Sequence, residues 1–218
     1  MNYKELFETF QNNADSGKSS GMKAYMKNQF EFLGISASNR RLLSKDFLKT
    51  AQKDTKPNWK FIFECWSKTE REFQYLAIDY LYAVKDTLTP DDIPKIKQIA
   101  SSKSWWDTID SLDRLTGHIA LKHPEVNQTL LDWSLDENYW LRRIAIDHQL
   151  LRKNKTDTGL LKQIIENNLG QKEFFINKAI GWSLRDYSKT DPKWVRAFVD
   201  EYRDRLAPLS LREASKYI

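Results

Sequence analysis

From about residue 57 onward the chain repeats itself, and that repeat limits the possible folds more than any other feature. Ala77, Ser111, Ala145 and Ala179 follow one another at intervals of 34 residues, and the next positions, Ile78, Leu112, Ile146 and Ile180, are all apolar. Five residues before each small residue stand Glu72, Trp106, Trp140 and Phe174, three of them aromatic. A two-helix unit of this length cannot bury its apolar face alone, so neighbours must stack. The spacing therefore predicts an all-α fold, an α-solenoid whose second helices line one concave surface. The first helices are expected over residues 59–67, 91–101, 125–135 and 157–168, with second helices beginning near 70, 104, 137 and 171. Pro90, Pro94, Pro124 and Pro192 fall at or near these starts, where a missing N–H does little harm. Trp106, Trp140 and Phe174 are expected to point in related directions.

Composition agrees with helices joined by short turns. There are seven Gly and six Pro among 218 residues, and 30% are charged. The net charge of +5 is compatible with a polyanionic partner. The single cysteine, Cys65, lies in an apolar run and is expected to be a small buried hydrophobe, and one cysteine builds neither a disulfide nor a cysteine metal site within the chain. No signal-like segment opens the sequence and no run approaches 18 apolar residues, so export and membrane spanning are not expected and a cytoplasmic protein is.

The whole chain, 1–218, reads as one repeat domain, with N-terminal helices over 1–56 and repeats over 57–218. Residues 3–14 form a helical pattern, and Asp15 to Gly21 read as a polar, mobile break. The triplet Gly17-Lys18-Ser19 lacks the earlier glycine and the preceding strand of a phosphate loop. From Met22 to Ile35 apolar residues recur at helical spacing, with Lys23 and Lys27 one turn apart, and a further helix is expected to begin near Ser38.

The stretch Ser104 to Asp113 carries the chemistry. Ser104 followed by Asp107 reads as a capping box, and on the helix it opens Trp106 and Asp110 stand at i and i+4, sharing one face. Along the second helices Arg114, Arg142, Arg143, Lys178, Arg185 and Lys189 interleave with Trp140, Phe174, Phe175, Trp182 and Tyr187. Cations beside aromatics furnish a nucleic-acid groove, but they also furnish a solenoid core with a solvated face. Arg142 and Arg143 are about 100° apart on a helix, so one is expected in the groove and the other in solvent. His118, His123 and His148 form no two-histidine ligand pair at helical spacing, and no metal is expected.

Several separated motifs together resemble a known family. They are Lys23-Ala24-Tyr25-Met26-Lys27-Asn28 with Phe32-Leu33-Gly34, Lys103 to Asp110, Trp140-Leu141-Arg142-Arg143, Phe174-Phe175-Ile176 with Lys178 to Tyr187, and Leu209 to Ser215. In this order they resemble the alkylpurine DNA glycosylases of the bacterial AlkD type, stacks of HEAT-like helical repeats, over nearly the whole chain. The resemblance implies hydrolysis of the N-glycosidic bond of positively charged N3- and N7-alkylated purines, such as 3-methyladenine and 7-methylguanine, in duplex DNA and without full base flipping. It places the catalytic carboxylate at Asp110, with Trp106 and Trp182 walling the damaged nucleotide and Arg143 on the phosphate backbone. Tyr25, Arg185, Phe174 and Phe175 would complete the cleft, with Arg142 and Lys27 as further cations toward DNA. No cofactor or metal is implied, the partner is double-stranded DNA containing alkylated purines, and a monomer in the bacterial cytoplasm is expected.

The residue types support that chemistry independently. A cationic purine is already a good leaving group and needs no strong general acid. Positive charge moves onto the deoxyribose as the bond breaks, and an ionised Asp110 can stabilise it and orient water. Indole faces favour cations by roughly 0.5–2 kcal/mol. No lysine is placed as a Schiff-base nucleophile, so a monofunctional enzyme leaving an abasic site is expected. The alternative is a non-catalytic HEAT-like scaffold binding DNA or protein; a one-base-per-repeat RNA reader is disfavoured because equivalent positions differ too much.

Overall fold

A computed structural model describes residues 2–218. Among them thirteen α-helices and four short 3-10 turns make up the regular structure, and the extended pairing is an isolated parallel bridge between Glu31 and Glu70. No helix is long and apolar enough to cross a membrane. The chain divides into two compact units, Met1–Leu88 and Thr89–Ile218, so the first repeat groups with the N-terminal helices.

The first unit holds α1 (Tyr3–Asn12), α2 (Ser16–Tyr25), α3 (Ala37–Ala51), α4 (Trp59–Ser67) and α5 (Arg71–Ala83). Its core joins Leu6 and Phe10 of α1, Phe61 and Cys65 of α4, and Phe73, Leu76 and Tyr80 of α5. Cys65 is fully enclosed, as expected, and burial pushes its thiol well up. The polar break proves to be helical. Asp15 caps α2 by accepting from Lys18 N–H, and its own N–H donates to the Leu33 carbonyl at 2.8 Å, which closes the segment into a clasp. Capping and that backbone tie substitute for an apolar face, since α2 has no buried residue.

The helix expected to run from Met22 to Ile35 stops at Tyr25. Lys27 and Asn28 both take φ of 56°, the left-handed region, so Lys27 leaves the helical face it was expected to share with Lys23. Beyond it Glu72, fully buried at the start of α5, accepts from the N–H groups of Leu33, Gly34 and Ile35 at 3.0, 2.9 and 3.0 Å. Three donors on one carboxylate hold this loop, so apolar spacing alone misread it. Helix α3 begins at Ala37 on a Ser36 cap, slightly before the expected start.

The second unit holds α6 (Ile93–Ala100), α7 (Trp106–Lys122), α8 (Val126–Trp133), α9 (Tyr139–Asp147), α10 (Thr158–Glu166), α11 (Phe174–Ser188), α12 (Pro192–Glu201) and α13 (Pro208–Ala214). Helices α7, α9, α11 and α13 stack in succession, with α8 and α10 packed together on one side, the layering of an α-solenoid. The starts of α6 to α11 fall one to three residues after the positions read from the repeat. Pro94 and Pro192 sit in the first turns of α6 and α12. Close approach of the stacked helices depends on two glycines. A Cβ on Gly117 of α7 would collide with the His148 carbonyl after α9, and one on Gly181 of α11 would stand 2.6 Å from Glu213 Cβ of α13.

Candidate active site

Helix α7 positions the central carboxylate, though not through the capping box. The helix starts at Trp106 with no side-chain cap, and the Ser104 hydroxyl instead donates at 2.6 Å to the Ala100 carbonyl. Ser104 thus satisfies an orphan acceptor at the end of α6, which removes it from the next helix. The i, i+4 relation of Trp106 and Asp110 survives, because both lie inside α7.

Asp110 faces Arg143 of α9. Arg143 Nε donates to Oδ1 at 2.8 Å and Nη2 to Oδ2 at 3.0 Å, a bidentate side-on pair, while Nη1 donates to the Phe175 carbonyl at 2.7 Å. The Asp110 side chain is 24% exposed and that of Arg143 only 2%. The carboxylate is therefore open on one side and fixed on the other. The phosphate contact expected at Arg143 meets a side chain already donating to Asp110 and Phe175. Neither adjacent arginine is simply solvated: Arg142 is half-buried, and its Nε is enclosed without a hydrogen-bond partner.

Behind the pair lie two further carboxylates. Asp147 is fully buried, with Oδ2 3.9 Å from Arg143 Nη2, and the Ser183 hydroxyl of α11 lies 3.0 Å from its Oδ1. Burial, offset by Arg143, raises its pKa from the ordinary carboxylate value to about 7, with Asp110 raising it and Ser183 and Arg114 lowering it. Asp113 of α7 is also buried, and its pKa is pushed well up by burial first and then by Asp147 and Asp110. The charge of Arg143 is strengthened by its carboxylates despite burial.

Trp182 of α11 is half-buried, with Arg143 Cζ 5.2 Å and Lys178 Nζ 5.5 Å from its ring centroid. Lys178 and Arg185, one turn before and after Trp182, both reach Glu213 of α13, at 2.7 and 2.5 Å, and Lys216 joins them at 2.8 Å. Led by the bonds from Lys178 and Lys216, these cations hold the Glu213 carboxyl at about 2.

The repeat-equivalent aromatics diverge in burial. Trp106 is half-buried, Trp140 is buried and Phe174 is 57% exposed. Trp140 packs on Phe175 and Tyr139 with centroids 4.7 Å apart in each case, and Trp105 closes the cluster. Phe175 belongs to that cluster and Phe174 stands against it at 5.3 Å. Tyr25, 68% exposed, and Lys27 lie in the first unit, where Tyr25 lines a cleft of about 480 Å³ with Met22, Phe32, Arg40 and Tyr75. Asp147, Ser183 and Glu213 were not singled out from the sequence as site residues. The available signals were the i, i+4 spacing of Arg143 and Asp147 and the position of Ser183 next to Trp182.

The model of a family described as DNA alkylation repair enzyme matches residues 6–218. A solved structure described as a predicted DNA alkylation repair enzyme from Enterococcus faecalis is 40% identical, with a TM-score of 0.86 over 94% of this chain and 96% of that one. No match is found among curated proteins.

Proposed function

Because the chain belongs to the DNA alkylation repair enzyme family, we propose that it is a monofunctional DNA glycosylase excising cationic N3- and N7-alkylated purines from duplex DNA. The observation that carries this reading is the half-open Asp110 carboxylate, fixed from behind by Arg143 and one helical turn from Trp106.

A carboxylate held in this way changes position little as charge develops on the deoxyribose, and preorganisation of that kind is a large part of electrostatic catalysis. In the proposed step the C1′–N9 bond breaks, its electron pair neutralises the alkylated purine, and water attacks the oxocarbenium-like sugar. Asp110 stabilises the cation and takes up the proton lost by that water. Arg143 acts here as the residue that orients Asp110, a role that fits its burial better than direct contact with a phosphate. The Trp182 ring already lies near two protein cations, so selection for a charged base rests chiefly on Asp110 and on the ease with which that base departs. Arg142, Arg185, Phe174, Phe175, Tyr25 and Lys27 are the proposed DNA contacts. The protein works as a monomer, without metal or cofactor.

The test is single-turnover release of 7-methylguanine from methylated duplex DNA by the wild type and by Asp110→Asn. Release that falls at least about tenfold in the variant, with duplex binding retained, supports the role of Asp110. Binding without release by either protein would instead favour the scaffold.

A further inference from the structure

The Asp110–Arg143 pair poses an electrostatic problem for the reading above. A guanidinium bidentate on a carboxylate nearly cancels its charge, and a neutral pair stabilises a sugar cation poorly. A second negative charge behind the arginine would restore the field, and a carboxylate stands there. Asp147 is fully buried on α9, one turn after Arg143, with Oδ2 3.9 Å from Nη2 and without a hydrogen-bond partner.

Hydrogen-bond arithmetic around Ser183 indicates that Asp147 has two workable protonation states. Ser183 Oγ lies 2.8 Å from the Ile146 carbonyl and 3.0 Å from Asp147 Oδ1, yet a hydroxyl has one proton for two acceptors. With Asp147 protonated, the acid can donate to Ser183 while Ser183 donates to Ile146, so each contact is a hydrogen bond. With Asp147 ionised, the hydroxyl must turn to the carboxylate and release the Ile146 carbonyl. Both arrangements use the same atoms in the same places.

We propose that Asp147 is a positioning residue for the reaction: when ionised it balances the positive charge of Arg143 from behind, leaving Asp110 to face the sugar with its negative charge uncancelled. This deepens the glycosylase reading and rests on it. The groups facing Asp147 are Arg143 on its own helix, Asp110, Asp113 and Arg114 from α7, and the Ser183 hydroxyl from α11. Burial and its acidic neighbours push the pKa of Asp113 well up. Arg143 stays charged, its burial outweighed by its carboxylates, led by Asp147. Asp147 titrates near neutrality, at about 7. As pH rises through that value, the set formed by Asp110, Arg143 and Asp147 passes from neutral to singly negative. Base release gains an acid limb there.

The test measures single-turnover release of 7-methylguanine between about pH 5.5 and 8.5, corrected for spontaneous loss, for the wild type, Asp147→Asn and Ser183→Ala. A second readout is independent of turnover: affinity for a duplex carrying a cationic pyrrolidine in place of the sugar, relative to one carrying neutral tetrahydrofuran. The wild-type rate should rise through about pH 7. Asp147→Asn should lose that rise, run about tenfold slower at pH 8 and lose about tenfold of the preference for the cationic analogue, with tetrahydrofuran affinity unchanged. Ser183→Ala removes a donor to the ionised form, so its acid limb should move to higher pH, with activity recovered in alkali. It keeps the proposal testable should Asp147→Asn fail to fold. A wild-type rate that does not vary with pH would overturn the inference. So would an Asp147→Asn variant with the wild-type profile and preference, or a Ser183→Ala variant whose limb stays in place. A wild type that shows no base release and no cation preference would instead overturn the glycosylase reading itself.

Discussion

Gly117 of α7 lies directly against the backbone carbonyl of His148, leaving no room for a side chain, and this contact sets how closely α7 and α9 approach. Asp110 and Arg143 meet across the same two helices, so their bidentate geometry depends on that spacing.

Gly117→Ala is accordingly expected to destabilise the protein by roughly 3 kcal/mol or more, because the obstacle is backbone rather than a flexible side chain. Gly21→Ala in α2, where an added Cβ meets nothing within 4 Å, is the control. It should be neutral or stabilising by up to about 1 kcal/mol through helix propensity. Urea denaturation of both variants checks the contrast.

His148 predicts acid sensitivity. It is fully buried, and its pKa is lowered to about 3, by burial first and by Arg152 next, against 6.5 ordinarily. The unfolded chain then binds a proton that the folded chain refuses, so this contribution is present above pH 6.5 and lost as pH falls toward 3. The raised pKa values of Asp113 and Asp147 act with the opposite sign, favouring the fold as pH falls below neutrality. The stability of the wild type relative to His148→Gln should therefore fall from pH 6.5 to about 4, whatever the slope the carboxylates give to both proteins. A difference between the two melting curves that does not change with pH would refute the assignment.

Arg143→Lys separates two roles for one residue. Lysine cannot reproduce a side-on fork, so Asp110 should lose its fixed orientation and base release should fall about tenfold or more. The slope of log affinity against log salt for duplex DNA should not change, since a residue that orients Asp110 releases no counterion from the phosphates. A slope reduced by about one would mark Arg143 as a phosphate contact instead.

Glu213→Gln should loosen α13 from α11. One nearly buried carboxylate serves Lys178, Arg185 and Lys216, and removing its charge leaves three cations crowded together. A loss of roughly 2–4 kcal/mol at neutral pH is expected, partly recovered by salt, which screens the repulsion. Because the carboxyl is held at about 2, this stabilisation is present above pH 4.5 and lost as pH falls through about 2. The variant should lack that acid limb.

The repeat was legible because packing enforces it: small and apolar residues must recur wherever equivalent helices touch, and α6 to α11 start within three residues of the expected positions. The N-terminal stretch was less legible for an equally physical reason. Helix α2 is held by the Asp15 cap and by the pairing of Asp15 with Leu33, and the loop after it by Glu72, contacts that leave no periodicity in the chain. In the site, Trp106 and Asp110 could be placed on one face because both lie on one helix. The opposition of Asp110 to Arg143, and of Lys178 and Arg185 to Glu213, joins different helices and had no local signature. Ser104 misled for the complementary reason: a hydroxyl between two helices can serve either, and here it closes the first.

The absence of any buried residue from α2 separates the fate of that helix from the fate of the core. Its amide hydrogens can exchange through local opening while the core stays shut, and substitutions on its outer face draw little on global stability. Tyr25 ends a helix whose surface is thus free to vary. Substitutions can accumulate there without threatening the fold.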